Sequence, residues 1–199
     1  MEEEIGRIAV ETARKVIDSW VRDRIKYTPK NLPEFFDKEL GVFVSIHTYP
    51  EYELRGCIGF VEPNFPLSHG LVEAAIFATR DPRFPELKED ELNKIVVEVS
   101  ILTEPREIKA DRPEDIPKMI KIGRDGLIVR KGFYNGLLLP QVAVEHGMDE
   151  EMFLCNTCIK AGLQPYEWRD KKTRVYVFSA EVFCEEKPHG RIIKKELKT

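Results

Sequence analysis

The sequence predicts an α+β fold, with mixed or antiparallel sheets and helices packed on them. Three observations carry this. Apolar stretches of strand length form two hairpin-like segments, residues 41–60 and 126–140, each interrupted by turn residues. Helix-spaced apolar residues follow each hairpin. A long apolar strand then closes each series, at 95–102 and at 173–183. The two hairpins also open alike, with Gly41-Val-Phe-Val and Gly126-Leu-Ile-Val. That likeness reads either as internal duplication of a ββαβ unit or as chance similarity between two short hairpins.

Each element has its own signal. Ile5, Ile8, Ala9, Ala13, Val16, Ile17, Trp20 and Val21 recur at helical spacing, so residues 4–24 are expected to form an amphipathic helix. Pro29 and Pro33 end it. "GVFVSIHTY" (41–49) reads as a strand, "PE" as a two-residue turn, and "YELRGCIGF" (52–60) as the antiparallel return. Residues 67–80 read as a helix stopped by Asp81-Pro82. "IVVEVSIL" (95–102) is almost continuously apolar, which predicts a strand covered on both faces. A short helix is expected over 114–121. "YNG" is expected to turn the second hairpin. Helices follow at 141–146 and 150–162, the latter capped by Gly162, and 173–183 is the last clear strand. The basic tail, "KPHGRIIKKELKT", reads as a surface strand or a frayed end.

Composition narrows the function classes. The 199 residues are 42% hydrophobic and 33% charged, which fits a soluble globular chain. Two Gln and five Asn against 31 Lys and Arg and 35 Asp and Glu resemble a thermophile's composition. A net charge of −4 argues against broad nucleic-acid binding, which depends on neutralising phosphates. No apolar run approaches the ~20 residues of a membrane helix. The start, "MEEEIGRIAV", is acidic where a signal peptide is basic, so a cytoplasmic location is expected. Four cysteines do not suggest a disulfide scaffold.

The candidate site begins with polar residues inside strands. By alternation Arg55 and Cys57 share one face, and Leu54, Gly56 and Ile58 the other. Glu98 and Ser100 share a face of "IVVEVSIL". A buried charge needs a partner, so Arg55 and Glu98 are expected to pair, either as part of a site or only to fix register. A guanidinium beside Cys57 would lower its thiol pKa, while Gly56 and Gly59 could let a ligand or another backbone approach. The plainer reading makes Cys57 a small core residue. A nucleophile also needs a base. His47, opposite Leu54 in this register, points away from Cys57, which leaves His69 as the better candidate. Asp81 and Arg83 stand close enough to join the cluster. Arg83 could hold an anion as a planar fork, or the pair could simply end a helix. "CNTC" (155–158) falls mid-helix on the apolar side with Met152 and Ile159, which favours packing over redox or metal use. No metal site and no cofactor are expected.

The segments "LRGCIGF", "DPRF", "VEVSIL", "GRDGL", "LLPQV" and "CIKAGL" together resemble the AMMECR domain family, in order from about Gly41 to Phe183. Many members carry Thr after the second motif glycine, where this chain has Phe60. The resemblance implies one domain over 1–199, built from a larger and a smaller subdomain whose boundaries the sequence does not fix. It implies no established reaction. Some bacterial relatives are fused to, or encoded beside, a Memo-like domain and a radical SAM protein, which implies partners of that kind in a metabolic or modification system. Its motifs put emphasis on Arg55, Gly56, Cys57 and Gly59, on Asp81, Arg83 and Phe84, on Glu98 and Ser100, and on Pro140 and Gln141.

Three functions follow as expectations. In the first, Cys57 is a reactive thiol, Arg55 and Arg83 hold an anionic substrate, and Glu98 orients Arg55. In the second, the same surface binds a partner protein or small anionic ligand without chemistry. The third, nucleic-acid binding, requires Lys118, Lys121, Arg124, Arg130 and Lys131 to share one face with the tail.

Overall fold

A computed structural model describes residues 3–62 and 64–195. The fold is α+β with antiparallel strand pairs, and it divides into two units: residues 3–102 with 181–195, and Thr103–Ala180.

The first unit holds α1 (Glu3–Asp23), β1 (Val42–Thr48), β2 (Leu54–Phe60), α2 (Leu67–Ala78) and β3 (Ile95–Leu102). The apolar stripe of α1 buries Ile5, Ala9, Val10, Ala13, Val16 and Ile17, as its periodicity predicts. These residues pack with Leu67, Leu71 and Ala75 of α2. β1 lies between β2 and β3 and is antiparallel to both. Val42, Val44 and Ile46 of β1, with Ile95, Val97, Val99 and Ile101 of β3, belong to that core. The alternate residues therefore project from the opposite, outward face.

One charged pair is buried in this core. Arg14, on the inner side of α1, donates to both carboxylate oxygens of Glu185 and to the carbonyls of Leu92 and Ile95. Val97 N–H also donates to Glu185, at 3.0 Å. Both ions keep several hydrogen bonds, the condition under which a buried pair is tolerated.

The second unit holds β4 (Arg106–Glu107), β5 (Asp125–Lys131), β6 (Tyr134–Leu138), α3 (Pro140–Glu145), α4 (Glu150–Lys160) and the first residues of β7 (Arg174–Glu185). β5 lies between β6 and β7, again antiparallel to both, and β4 pairs with β7. Leu127, Val129, Val175 and Val177 pack with Phe153, Leu154, Cys158 and Trp168. Gly162 ends α4 at φ +81: its N–H donates to the carbonyl of Ile159 and that of Leu163 to Cys158, the paired bonds of a Schellman cap. The last residues of β7 belong to the first unit, where they pair with β8 (Ile192–Lys195). The tail thus contains a strand; residues 196–199 lie outside the described residues.

Each unit contains the order ββαβ with its first strand central. Other expectations need correction. Residues 114–121 form two 3-10 turns, Pro113–Asp115 and Pro117–Met119, because Pro117 lacks the N–H an α-helix would need there. The second hairpin turns at Gly132-Phe133 rather than at "YNG"; Lys131 pairs with Tyr134, and Gly132 supplies φ +59. On α4, Cys158 is buried with Phe153, Leu154 and Thr157, but Met152 and Ile159 are exposed. The first hairpin joins through Tyr49–Tyr52, four residues rather than two, with Tyr52 at φ 60.

Candidate functional site

The geometry of the site follows from a bulge. His47 faces Leu54 as expected, but Ile46 faces Gly56, so Arg55 is an extra residue on β2. Past it, Ser45 faces Cys57 on one side and Glu98 on the other. Cys57, Ser45 and Glu98 therefore form one row across three strands, on the outward face. His47, two residues from Ser45, lies on that same face and not on the opposite one.

The expected Arg55–Glu98 pair does not form. The bulge sends Arg55 to the loop that precedes β3, where Nε and Nη2 donate to Glu91 at 2.8 and 3.1 Å and Nη1 to the carbonyl of Pro85 at 2.7 Å. Burial raises the Glu91 pKa, but the Arg55 bonds and the Lys88 N–H together outweigh it and hold the carboxyl below its ordinary value. Glu98 instead joins Tyr52 and Lys195. Tyr52 Oη donates to Glu98 at 2.7 Å, and Lys195 Nζ donates to both at 2.8 Å. The Tyr52 ring stacks on His47, centroids 4.3 Å apart, and Lys195 Nζ stands 4.3 Å from the centre of the same ring. His47 Nε2 stands 3.8 Å from Glu98. Burial alone would raise the Glu98 pKa, yet His47, Lys195 and Tyr52 together bring it down to about 2. Burial and the adjacent Glu98 push the Tyr52 phenol far up, so it remains a donor.

Cys57 is half-buried, with Sγ 3.1 Å from Ser45 Oγ. Burial pushes its thiol above the ordinary value, although the Ser45 hydroxyl and the Arg83 guanidinium pull the other way. The expectation of a lowered pKa through Arg55 is therefore reversed. The group in contact with the sulfur is the Ser45 hydroxyl; His69, on α2, packs edge-on against Phe65 at 5.0 Å.

Asp81 and Arg83 clasp the outer edge of β2. The Asp81 carboxylate, almost wholly buried, accepts the N–H of Cys57 at 2.9 Å and that of Arg83 at 3.0 Å. Arg83 Nη2 donates to Asp81 at 2.6 Å and to the carbonyl of Cys57 at 3.2 Å. The Arg83 side chain, with those N–H groups, holds the Asp81 pKa far below the carboxylate range. Together the two residues satisfy backbone groups that an edge strand otherwise presents unpaired.

Of the two expectations for the glycines, the close approach is made by the protein itself, at Gly56 by another stretch of backbone. A Cβ on Gly56 would stand 2.2 Å from the carbonyl oxygen of Ala78, and one on Gly59 2.4 Å from the Phe43 ring. Both serve close packing within the first unit. Ser100 faces Phe43 on the outward side of β3. Gln141 belongs to the second unit, exposed on α3. Ser45, His47, Tyr52 and Lys195 were not among the expected site residues. The alternating polar positions of "VFVSIHT" carry a signal for the first two; nothing local marks Lys195.

The other cysteines and the basic residues behave more simply. Burial pushes the Cys158 thiol up to about 11. No group of three or more metal-ligating side chains occurs among the described residues. Lys118 pairs with Asp115, Arg124 with Asp125, and Lys131 with Glu167 and Asp170, which neutralises much of the surface that nucleic-acid binding would need. No described helix is long and apolar enough to cross a membrane.

The AMMECR1 family model matches residues 10–183, a span that includes the row, the clasp, the second unit and most of the first. The chain belongs to the AMMECR1 family. Its relatives include Protein MJ0810 of Methanocaldococcus jannaschii, 50% identical over 195 residues, 98% of this chain and 96% of that one. Protein PF1979 of Pyrococcus furiosus is 50% identical over 202 residues, 99% of this chain and 96% of that one. The crystal structure of uncharacterized protein PH0010 from Pyrococcus horikoshii is similar at TM-score 0.78 and 48% identity, covering 99% of each chain. These AMMECR1 relatives carry no named reaction.

Proposed function

We propose that the first unit of this AMMECR1 protein binds a small polar ligand on the outward face of its sheet, and that it acts as a binding module rather than as a thiol enzyme in its ligand-free state. The observation that carries this reading is the row Cys57–Ser45–Glu98. It sets a thiol, a hydroxyl and a carboxylate side by side, while the alternate residues of the same strands, Val44, Ile46, Val97 and Val99, turn into the apolar core. Cys57 serves as a hydrogen-bonding group, because its thiol is held protonated by burial and contacts a hydroxyl, not a base. Arg83, more than half exposed beside Cys57, is the cation best placed to receive an acidic group of the ligand. Arg55, tied to Glu91, shapes the strand instead.

A reactive role for Cys57 keeps one supporting observation: Ser45 and Arg83 both favour the thiolate. A ligand that brings its own base could complete that chemistry. A thermal-shift screen of small polar metabolites, followed by Cys57→Ser and Arg83→Met, tests the binding reading. Binding is expected to survive Cys57→Ser and weaken in Arg83→Met. Rapid alkylation of Cys57 well below pH 8, mapped by mass spectrometry, would overturn it in favour of the reactive thiol.

A further inference from the structure

The register of one unit can be carried onto the other. Val42 lies between Phe60 and Ile101, and Leu127 between Leu138 and Val177. With these aligned, the position of Ser45 falls on Arg130, that of Cys57 on Asn135 and that of Glu98 on Arg174. Arg130 does face Asn135 on β6 and Arg174 on β7. The row that carries a thiol and a carboxylate in the first unit thus carries two guanidiniums in the second.

Like charges directly opposite on neighbouring strands destabilise a sheet. Here both lean on one ring: the guanidinium carbons of Arg130 and Arg174 stand 5.0 and 5.6 Å from the centre of Tyr176. Such stacking fixes guanidinium planes. Glu107, paired with Tyr176 across β4 and β7, accepts from Nε and Nη2 of Arg174 at 2.9 and 2.6 Å. The Nη1 edge of Arg174 has no protein partner among the described residues, and its side chain is 60% exposed. Lys109 adds positive charge close to Glu107.

We propose that Arg130, Arg174 and Tyr176 form a second binding site, separate from the Cys57 row, for the terminal phosphate dianion of a small phosphorylated molecule. Arg174 offers its Nη1 edge, Arg130 supplies the second charge, and the tyrosine holds both in place. A dianion matches two adjacent guanidiniums better than a single carboxylate does.

The test titrates the whole chain with inorganic phosphate and follows the arginine Nε–Hε resonances, with sodium chloride at equal ionic strength as the reference. Saturable shifts at Arg130 and Arg174 are expected. Affinity should fall about tenfold in Arg174→Met and in Arg130→Met, less in Arg174→Lys, and should rise in Glu107→Gln. Circular dichroism of each variant separates lost binding from lost fold. The proposal is overturned if sodium chloride reproduces the shifts, if Arg174→Lys and Glu107→Gln, both folded, bind as the parent does, or if single-stranded RNA binds while phosphate does not.

Discussion

The carboxylate of Asp81 accepts the outward N–H of Cys57 at 2.9 Å, on the side of β2 where no further strand follows. Arg83, two residues on, returns a bond to the Cys57 carbonyl. A short loop thus does at one residue what a neighbouring strand would do along a whole edge. Removing the carboxylate should strand a backbone donor and release Arg83. Asp81→Ala is expected to cost ~2–4 kcal/mol in urea unfolding, and Asp81→Asn less, since the amide still accepts. Arg83→Ala should cost below ~1 kcal/mol, because that side chain is largely solvated. Equal costs for Asp81→Ala and Arg83→Ala would contradict this division.

Gly56 and Gly132 should respond to alanine in different ways. At Gly56 the new methyl meets a backbone oxygen of α2 at 2.2 Å, so the helix must move. A loss of ~2–3 kcal/mol, or failure to fold, is expected. At Gly132 nothing lies near, and only φ +59 opposes the change. About 1 kcal/mol is expected there. Urea midpoints of the two variants would reverse this order if the close approach of Ala78 were unimportant.

Glu98 predicts an acid transition. Its carboxyl titrates at about 2 in the folded chain, against an ordinary 4.5. A depressed carboxyl contributes stability above its unfolded pKa and loses it as pH falls through the folded one. The loss should therefore run from about pH 4.5 to about pH 2 and reach roughly 3 kcal/mol. Glu98→Gln should flatten that part of the stability profile, and Lys195→Met should raise the Glu98 pKa measured by NMR. An unchanged profile in Glu98→Gln would assign the acid loss to other carboxylates.

The Ser45 hydroxyl is the nearest group that favours the Cys57 thiolate. Ser45→Ala should move the thiol pKa further up and slow alkylation at fixed pH, measured as a pH–rate profile on the Cys57 peptide. A faster rate in Ser45→Ala would mean that the hydroxyl shields the sulfur rather than tuning it.

Periodicity makes much of this fold legible. The stripe of α1 and the uninterrupted run of β3 depend on local spacing, and both elements form within a residue of their expected limits. The ββαβ order is readable for the same reason. The partnership of Arg55 is not, because alternation counts straight through a bulge. One extra residue moved His47 onto the Cys57 face and Arg55 off the ladder. Lys195 is illegible for another reason: it meets Glu98 and Tyr52 only through the pairing of β8 with β7, 97 residues from the carboxylate it holds. Gly56 and Gly59 look like openings in a one-dimensional string. In three dimensions Ala78 and Phe43 already occupy the space.

The bulge at Arg55 works as a phase shifter. Antiparallel pairing has a period of two, so an odd insertion is the only change that inverts every side chain beyond it. Tyr49–Leu54 can keep one phase, with Tyr52 seated over His47, while Arg55–Phe60 runs in the other and presents Cys57 beside Ser45. Were Arg55 instead paired opposite Ile46, the ladder would run on without a break, Ser45 would face Gly56 and Cys57 would face Val44. The thiol would then turn toward the helices, erasing the row without altering any of its members.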